Sequence, residues 1–208
     1  ADQLGFFAGF AENGETTVYS CEVLTDGAAP KGVQRVGKPD DDLQRFASNA
    51  NTSYRRTAWE QTHFRDVSYA EDQLMARDLA ATGWRKVFEP RAAVYHSHNF
   101  GVVETFQRYV DDWAGLQRAF GHVEVKRAWH LPAKAAYQSR VYLKMLGSDK
   151  TLSPAQKLLW SPRVVLQACS RQVGGYIGPR FDRLPTWAQE KLSREARLRR
   201  AKRLASRR

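Results

Sequence analysis

Sulfur is scarce in this chain. The two cysteines among 208 residues, Cys21 and Cys169, lie far apart. They form neither a metal-ligand spacing nor a disulfide framework, so no cofactor is read from them, and their number fits a reducing compartment. Long apolar runs are also missing: none approaches the roughly 18 residues of a membrane span. No basic-then-apolar leader of the secretory kind opens the chain. The expectation is a soluble or peripheral protein. Internal repeats are absent, and so is low-complexity sequence outside the C-terminal tail. The chain opens on Ala1 instead of methionine and runs straight into the apolar GFFAGF, as expected of a processed product or a fragment.

What is present suffices for one full domain, or one modest domain with an appendage: 42% of residues are hydrophobic and 12% aromatic. Net charge is +11, and residues 191–208 hold nine Lys/Arg against Glu195, so +8 of it sits there and +3 in the first 190 residues. That basic segment, KLSREARLRRAKRLASRR, suits an anionic membrane surface. By charge alone it also suits nucleic acid, although it lacks interleaved aromatics to stack on bases. A solvated, frayed terminus accounts for it without any partner.

Organisation sharpens along the chain. Residues 1 to about 45 mix short apolar runs with Gly, Asp and Pro, the pattern of short strands and long loops. The small, polar FASNANTSYRR reads as a loop feeding a short helix at TAWEQ. Ser68 stands three residues before Glu71, a capping-box spacing, and Leu74, Met75 and Leu79 recur at helical intervals up to Gly83, which predicts a helix over 69–82. Trp84 to Phe88 and Ala92 to His98 read as extended segments. In the second of these, Val94, His96 and His98 share a face by the period of two. Val103, Phe106, Val110, Trp113 and Phe120 mark an amphipathic helix. Beyond 121 the chain reads as helical, with Ser-Pro starts at 153–154 and 161–162 and a stop at Gly174-Gly175.

Several constellations carry possible chemistry. Glu71 and Asp72 sit in the first turn of a helix, where the macrodipole favours carboxylates and the capping box explains Glu71 with no catalytic role. His96 and His98 on one strand face have a genuine ligand geometry for a single ion, and a hydrolytic metal centre is one use of it. Asp40-Asp41-Asp42 could take a hard divalent ion, but its surroundings read as an exposed loop and helix N-terminus. Asn51-Thr52-Ser53 matches a glycosylation acceptor pattern that has no meaning without a secretion signal. The forks of Arg55 and Arg56 match anionic groups. His63, His122 and His130 have no partner at ligand spacing and read as structural.

In order and spacing, SNANTSYRRTAWE, HFRDVSYAEDQLMARDL and GWRKVFEPRAAVYHSHNF resemble the family 2 glycosyltransferases of GT-A fold, and most closely their bacterial rhamnosyltransferase-like branch. The resemblance covers about residues 45 to 120, and GGYIGPRFDRLPTWAQEKLS is similar to the distal region of that branch. It implies an α/β fold: the C-terminal, acceptor-side portion of a GT-A-type (Rossmann-like) domain over 1–120, then a helical extension over 121–208 with its basic tail. The resemblance makes Asp72 the general base on an acceptor hydroxyl, with Glu71 supporting it and inversion at the anomeric carbon. Asn49, Asn51 and Arg55 would line the acceptor side. His96, six residues after Pro90, would be the metal-binding histidine, with His98 as the alternative, for Mg²⁺ or Mn²⁺ acting as Lewis acid on the departing nucleoside diphosphate.

The donor would be a nucleotide sugar such as dTDP-rhamnose, and the acceptor a cell-envelope glycan or lipid-linked sugar. The location would be cytoplasmic and peripheral at the inner face of the membrane. The family's nucleotide-binding strands and Asp-x-Asp motif would lie upstream of Ala1. Two other classes stay open on the residues: a basic nucleic-acid-binding protein acting through its tail, and a His-x-His metallohydrolase.

Overall fold

A computed structural model describes residues 16–22, 33–67, 69–92, 94 and 100–205. The chain divides into two compact units between His98 and Asn99.

The first unit is built on three short strands. β1 (Thr17–Ser20) is central, with β2 (Val33–Val36) parallel on one side and β3 (Lys86–Phe88) antiparallel on the other. All four residues of β1 are buried, as a central strand of β-branched and aromatic residues should be. A short helix, α1 (Asp42–Arg45), is tied to the sheet by Gln44, whose amide donates to the carbonyls of Ser20 and Arg35, both at 3.0 Å. The Asp40 to Asp42 run is, as expected, an exposed turn and helix start.

From β3, Lys86 reaches across with Nζ 2.5 Å from the carbonyl of Leu43, 3.0 Å from that of Gln44 and 2.5 Å from that of Phe46. Burial pushes its pKa down to about 7. The three carbonyls and the Tyr19 ring face at 4.7 Å instead favour the ammonium. We take the ammonium as the form present, because a neutral amine has only two hydrogens to donate to three acceptors. This cation closes the end of α1 and fixes where the following loop leaves the sheet.

That loop feeds α2 (Arg56–Gln61), which packs on α3 (Glu71–Ala81) through Ala58, Met75 and Leu79, with Tyr54 and Trp84 against the cluster. α3 starts later than the 69–82 expected. Its N-cap is Ala70, without a side-chain cap, so Glu71 is the first helical residue and not the third of a capping box. Ser68 lies outside the described residues. Gly83, at φ 85°, ends the element as expected. Only Lys86–Phe88 of the segment 84–88 is strand. Pro90–Ala92 forms a 3₁₀ turn in place of the expected start of a second extended segment, of which Val94 alone is otherwise described.

The second unit is helical: α4 (Val102–Phe120), α5 (Leu131–Ser148), α6 (Pro154–Ile177), α7 (Thr186–Leu192) and α8 (Arg194–Ala205). The sequence grouped 102–120 with the α/β part. The structure gives α4 to the helical unit, because its stripe of Val110 and Ala114 is covered by Phe181, Ile177 and Leu184. Ser153 caps α6 with Gln156 in the reciprocal arrangement its spacing predicts: Gln156 N–H donates to Ser153 Oγ, and Ser153 N–H to Gln156 Oε1.

Two other punctuation signals take a different place in the structure. Pro162 lies inside α6 at an exposed position, not at a helix start. Gly174 and Gly175 also lie inside α6, and Gly174 is a spacer: a Cβ on it would stand 2.7 Å from Cβ of Tyr109. One on Gly178 would stand 2.6 Å from Cβ of Trp113 and 2.8 Å from the Val110 carbonyl oxygen.

The start of the tail is pinned. Buried Ser193 hydrogen-bonds Asp111, whose other oxygen accepts from the backbone N–H groups of Arg194 and Glu195, both at 3.2 Å. This carboxylate on a helix N-terminus places 194–205 as an ordered helix, not a frayed end.

Candidate functional site

Residues 46–55 form the organising loop of the first unit. Thr52 braces it: its Oγ1 donates to the Ser48 carbonyl at 2.6 Å and accepts from Ser48 N–H at 3.3 Å. Set by that turn, Asn49 faces the start of α3. Its backbone N–H donates to Asp72 Oδ2 at 3.1 Å, and its side-chain amide to Glu71 Oε1 at 3.2 Å. The other oxygen of Asp72 accepts from Gln73 N–H at 2.8 Å. Asn51, two residues on, donates to the Ala92 carbonyl at 2.6 Å. One loop therefore joins the Glu71-Asp72 pair to the turn that leads toward His96.

Backbone geometry sharpens the placement. Ala70, directly before the pair, has φ 61° and ψ 24°, the left-handed conformation that a residue with a Cβ seldom adopts. It is 5% exposed and held by packing. Strain of this kind, costing on the order of 1–3 kcal/mol, collects where a chain must aim a side chain. Here it turns the chain sharply into α3, so that Asp72 points back to the loop.

Electrostatics follow from this packing. Burial raises the pKa of Asp72 above the ordinary carboxylate range, with the neighbouring Glu71 charge adding to it and the N–H groups of Asn49 and Gln73 opposing. Tyr54 stands beside the pair, its hydroxyl 3.4 Å from Asn49 Oδ1. Burial, then the charges of Asp72 and Glu71, push its phenol up to about 12. Tyr54 thus stays a hydrogen-bond donor. Sequence reasoning passed over it because nothing in SYRR distinguishes a site tyrosine from a packing one. The turn at 90–92 is braced by Glu89, which hydrogen bonds from Arg91 and then from Thr16 hold down to about 2.

The structure thus brings together Asn49, Glu71 and Asp72, with Asn51 on the same loop. Arg55 is the exposed residue preceding α2. His96 and His98 lie outside the described residues. Among the described residues no group of three or more His, Cys, Asp or Glu is placed to hold a metal ion. His63, His122 and His130 each lie against a tryptophan ring, Trp59, Trp113 and Trp129 in turn.

Over 150 residues, 67% of this chain, the sequence is 28% identical to the O-antigen chain rhamnosyltransferase RfbN of Salmonella typhimurium. It is 27% identical to the O-antigen chain rhamnosyltransferase WbaN of Salmonella anatum over the same extent. Over that stretch the chain is a distant relative of O-antigen chain rhamnosyltransferases. The match takes in 42% of each relative, so the chain spans less than half their length. No family model and no solved structure matches it.

Proposed function

We propose that the chain is the acceptor-side part of an inverting, nucleotide-sugar-dependent glycosyltransferase of family 2 with a GT-A fold, acting in polysaccharide synthesis. Asp72 is its general base. The observation that carries this is the double grip of Asn49 on Asp72 and Glu71 at a strained helix start. A half-buried carboxylate with a raised pKa takes a proton more readily than an exposed one. Two backbone N–H groups hold its oxygens without neutralising it.

In the step proposed, Asp72 accepts the proton of an acceptor hydroxyl as that oxygen attacks the anomeric carbon. The new C–O bond forms as the glycosyl–phosphate C–O bond breaks, and the nucleoside diphosphate leaves with the electron pair. A single in-line displacement inverts the centre. Glu71 and the amide of Asn49 hold the pair in register, and Asn51 and Arg55 face the acceptor side. Mg²⁺ or Mn²⁺ at His96, with His98 as the alternative, would neutralise the departing diphosphate; the proton chemistry at Asp72 is independent of it. The donor is a nucleotide sugar, with dTDP-rhamnose the first to test given the two relatives. The acceptor is an envelope glycan or lipid-linked sugar. The basic segment 191–208 faces an anionic membrane from the cytoplasmic side; no helix among the described residues is long and apolar enough to cross one.

Because the relatives extend well beyond the matched stretch, these 208 residues alone are expected to show little transfer. Joined to a donor-binding half, Asp72→Asn should lower kcat by about a thousandfold while circular dichroism and melting stay near wild type. An Asp72→Asn enzyme keeping most of its turnover would remove Asp72 from the chemistry. Vigorous transfer by the 208-residue chain would refute the incomplete-enzyme reading.

A further inference from the structure

One side of α6 carries an apolar stripe that no other helix among the described residues of its unit covers. Leu158, Leu159, Pro162, Leu166, Cys169 and Val173 recur at the i, i+3, i+4 spacing of one helix face. Leu158 is 76% exposed, Leu159 77%, Leu166 46% and Val173 36%. From 158 to 173 the face spans about 22 Å along the axis and holds no charged residue. Scattered single exposed leucines need no explanation, but a continuous stripe of this length marks a surface that something covers.

Charge decides between the occupants. Residues 99–208 hold 22 Lys/Arg against 8 Asp/Glu, a net +14, whereas residues 1–98 hold 11 against 14, a net −3. A second copy seated on α6 would bring another +14 unit against the first. An anionic lipid surface supplies the opposite charge and an apolar boundary together. Exposed aromatics of the same unit, Trp129 at 67% and Tyr137 at 70%, are of the kind that settle at the headgroup level.

We infer that α6 lies in the plane of an anionic bilayer and inserts its Leu158–Val173 face among the acyl chains, while the basic residues of its unit hold the headgroups. This deepens the membrane contact proposed above, on which it rests, by moving the inserting surface from the 191–208 tail to α6. It does not depend on Asp72.

The test is co-flotation of the full chain with equimolar phosphatidylcholine–phosphatidylglycerol vesicles and with phosphatidylcholine vesicles. Wild type should bind the mixed vesicles far more tightly than the neutral ones. The triple variant Leu158→Glu/Leu159→Glu/Leu166→Glu, at positions already exposed, should melt like wild type yet lose about a hundredfold in vesicle affinity. Deleting 194–208 should cost less than that. Undiminished binding by the triple variant, with loss on deleting the tail, would return the contact to the tail. Absence of binding by wild type would overturn the membrane partner altogether. A wild-type dimer in sedimentation that the triple variant abolishes would assign the stripe to a second copy. None of these outcomes bears on the transfer reaction, which the Asp72→Asn measurement decides separately.

Discussion

The two units solve opposite problems. In the first, net −3, a three-stranded sheet and three short helices are joined among the described residues by a long loop, and polar contacts tie the turn at Asn49 to the start of α3. In the second, net +14, long helices pack so closely that Gly174 and Gly178 are needed to let them approach. Strain in the first unit sits in a backbone angle at Ala70, beside candidate chemistry. In the second, tightness sits in helix packing, where it serves architecture. Where a chain places its tight spots distinguishes a surface shaped to act from one shaped to support.

The strongest way to break that comparison is Gly178→Ala. The new methyl would meet Cβ of Trp113, the Val110 carbonyl and the Ala114 nitrogen, all within 3 Å. Two of those three atoms are backbone, so they cannot swing aside. The variant should lose about 1–3 kcal/mol in urea unfolding. A melting curve superimposable on wild type would mean that the helices are not close-packed there, and the contrast between the units would collapse.

An intermediate effect is expected at Ala70→Gly. Glycine adopts φ near 60° without the Cβ clash, so the substitution should stabilise the first unit by about 1 kcal/mol. The same freedom loosens the aim of Asp72, so turnover of a donor-competent enzyme should fall as stability rises. Stability and turnover rising together would show that the left-handed turn has no part in positioning the carboxylate.

Legibility in the sequence followed the range of the interactions. The capped start at Ser153 and the stop at Gly83 are readable because local residues make them, whereas the contacts of Asn49 with Asp72 and Glu71 join segments more than twenty residues apart and no local pattern announces them. The start of α3 was misplaced because the left-handed turn at Ala70 is imposed by packing, and alanine carries no signal for it. Gly174-Gly175 read as punctuation because a spacer glycine and a stop glycine look alike until the facing helix is known. The basicity read as a property of the tail. Once α4 is seen to pack with the later helices, the remaining +6 of that unit lies in residues 99–190 and the charge belongs to the whole of it. The role of Tyr54 depended on three groups from two segments, which no periodicity records.

The smallest expected effect is also the most specific to the first unit. The pKa of Asp72 is higher in the fold than in the unfolded chain, chiefly through burial. Between the ordinary carboxylate value and the raised one, the native state therefore holds more of this proton than the unfolded state does. Stability attributable to Asp72 is then greatest at low pH, and it declines as pH rises through the folded value. Turnover should move the opposite way, rising with pH as Asp72 ionises, with its inflection above that of an exposed carboxylate. Asp72→Asn removes the proton exchange, so the difference between wild-type and variant stability should slope with pH across that window and flatten above it. A flat difference throughout would mean that Asp72 titrates as an exposed carboxylate, and the first unit would lose the feature that separates its tight spots from those of the second.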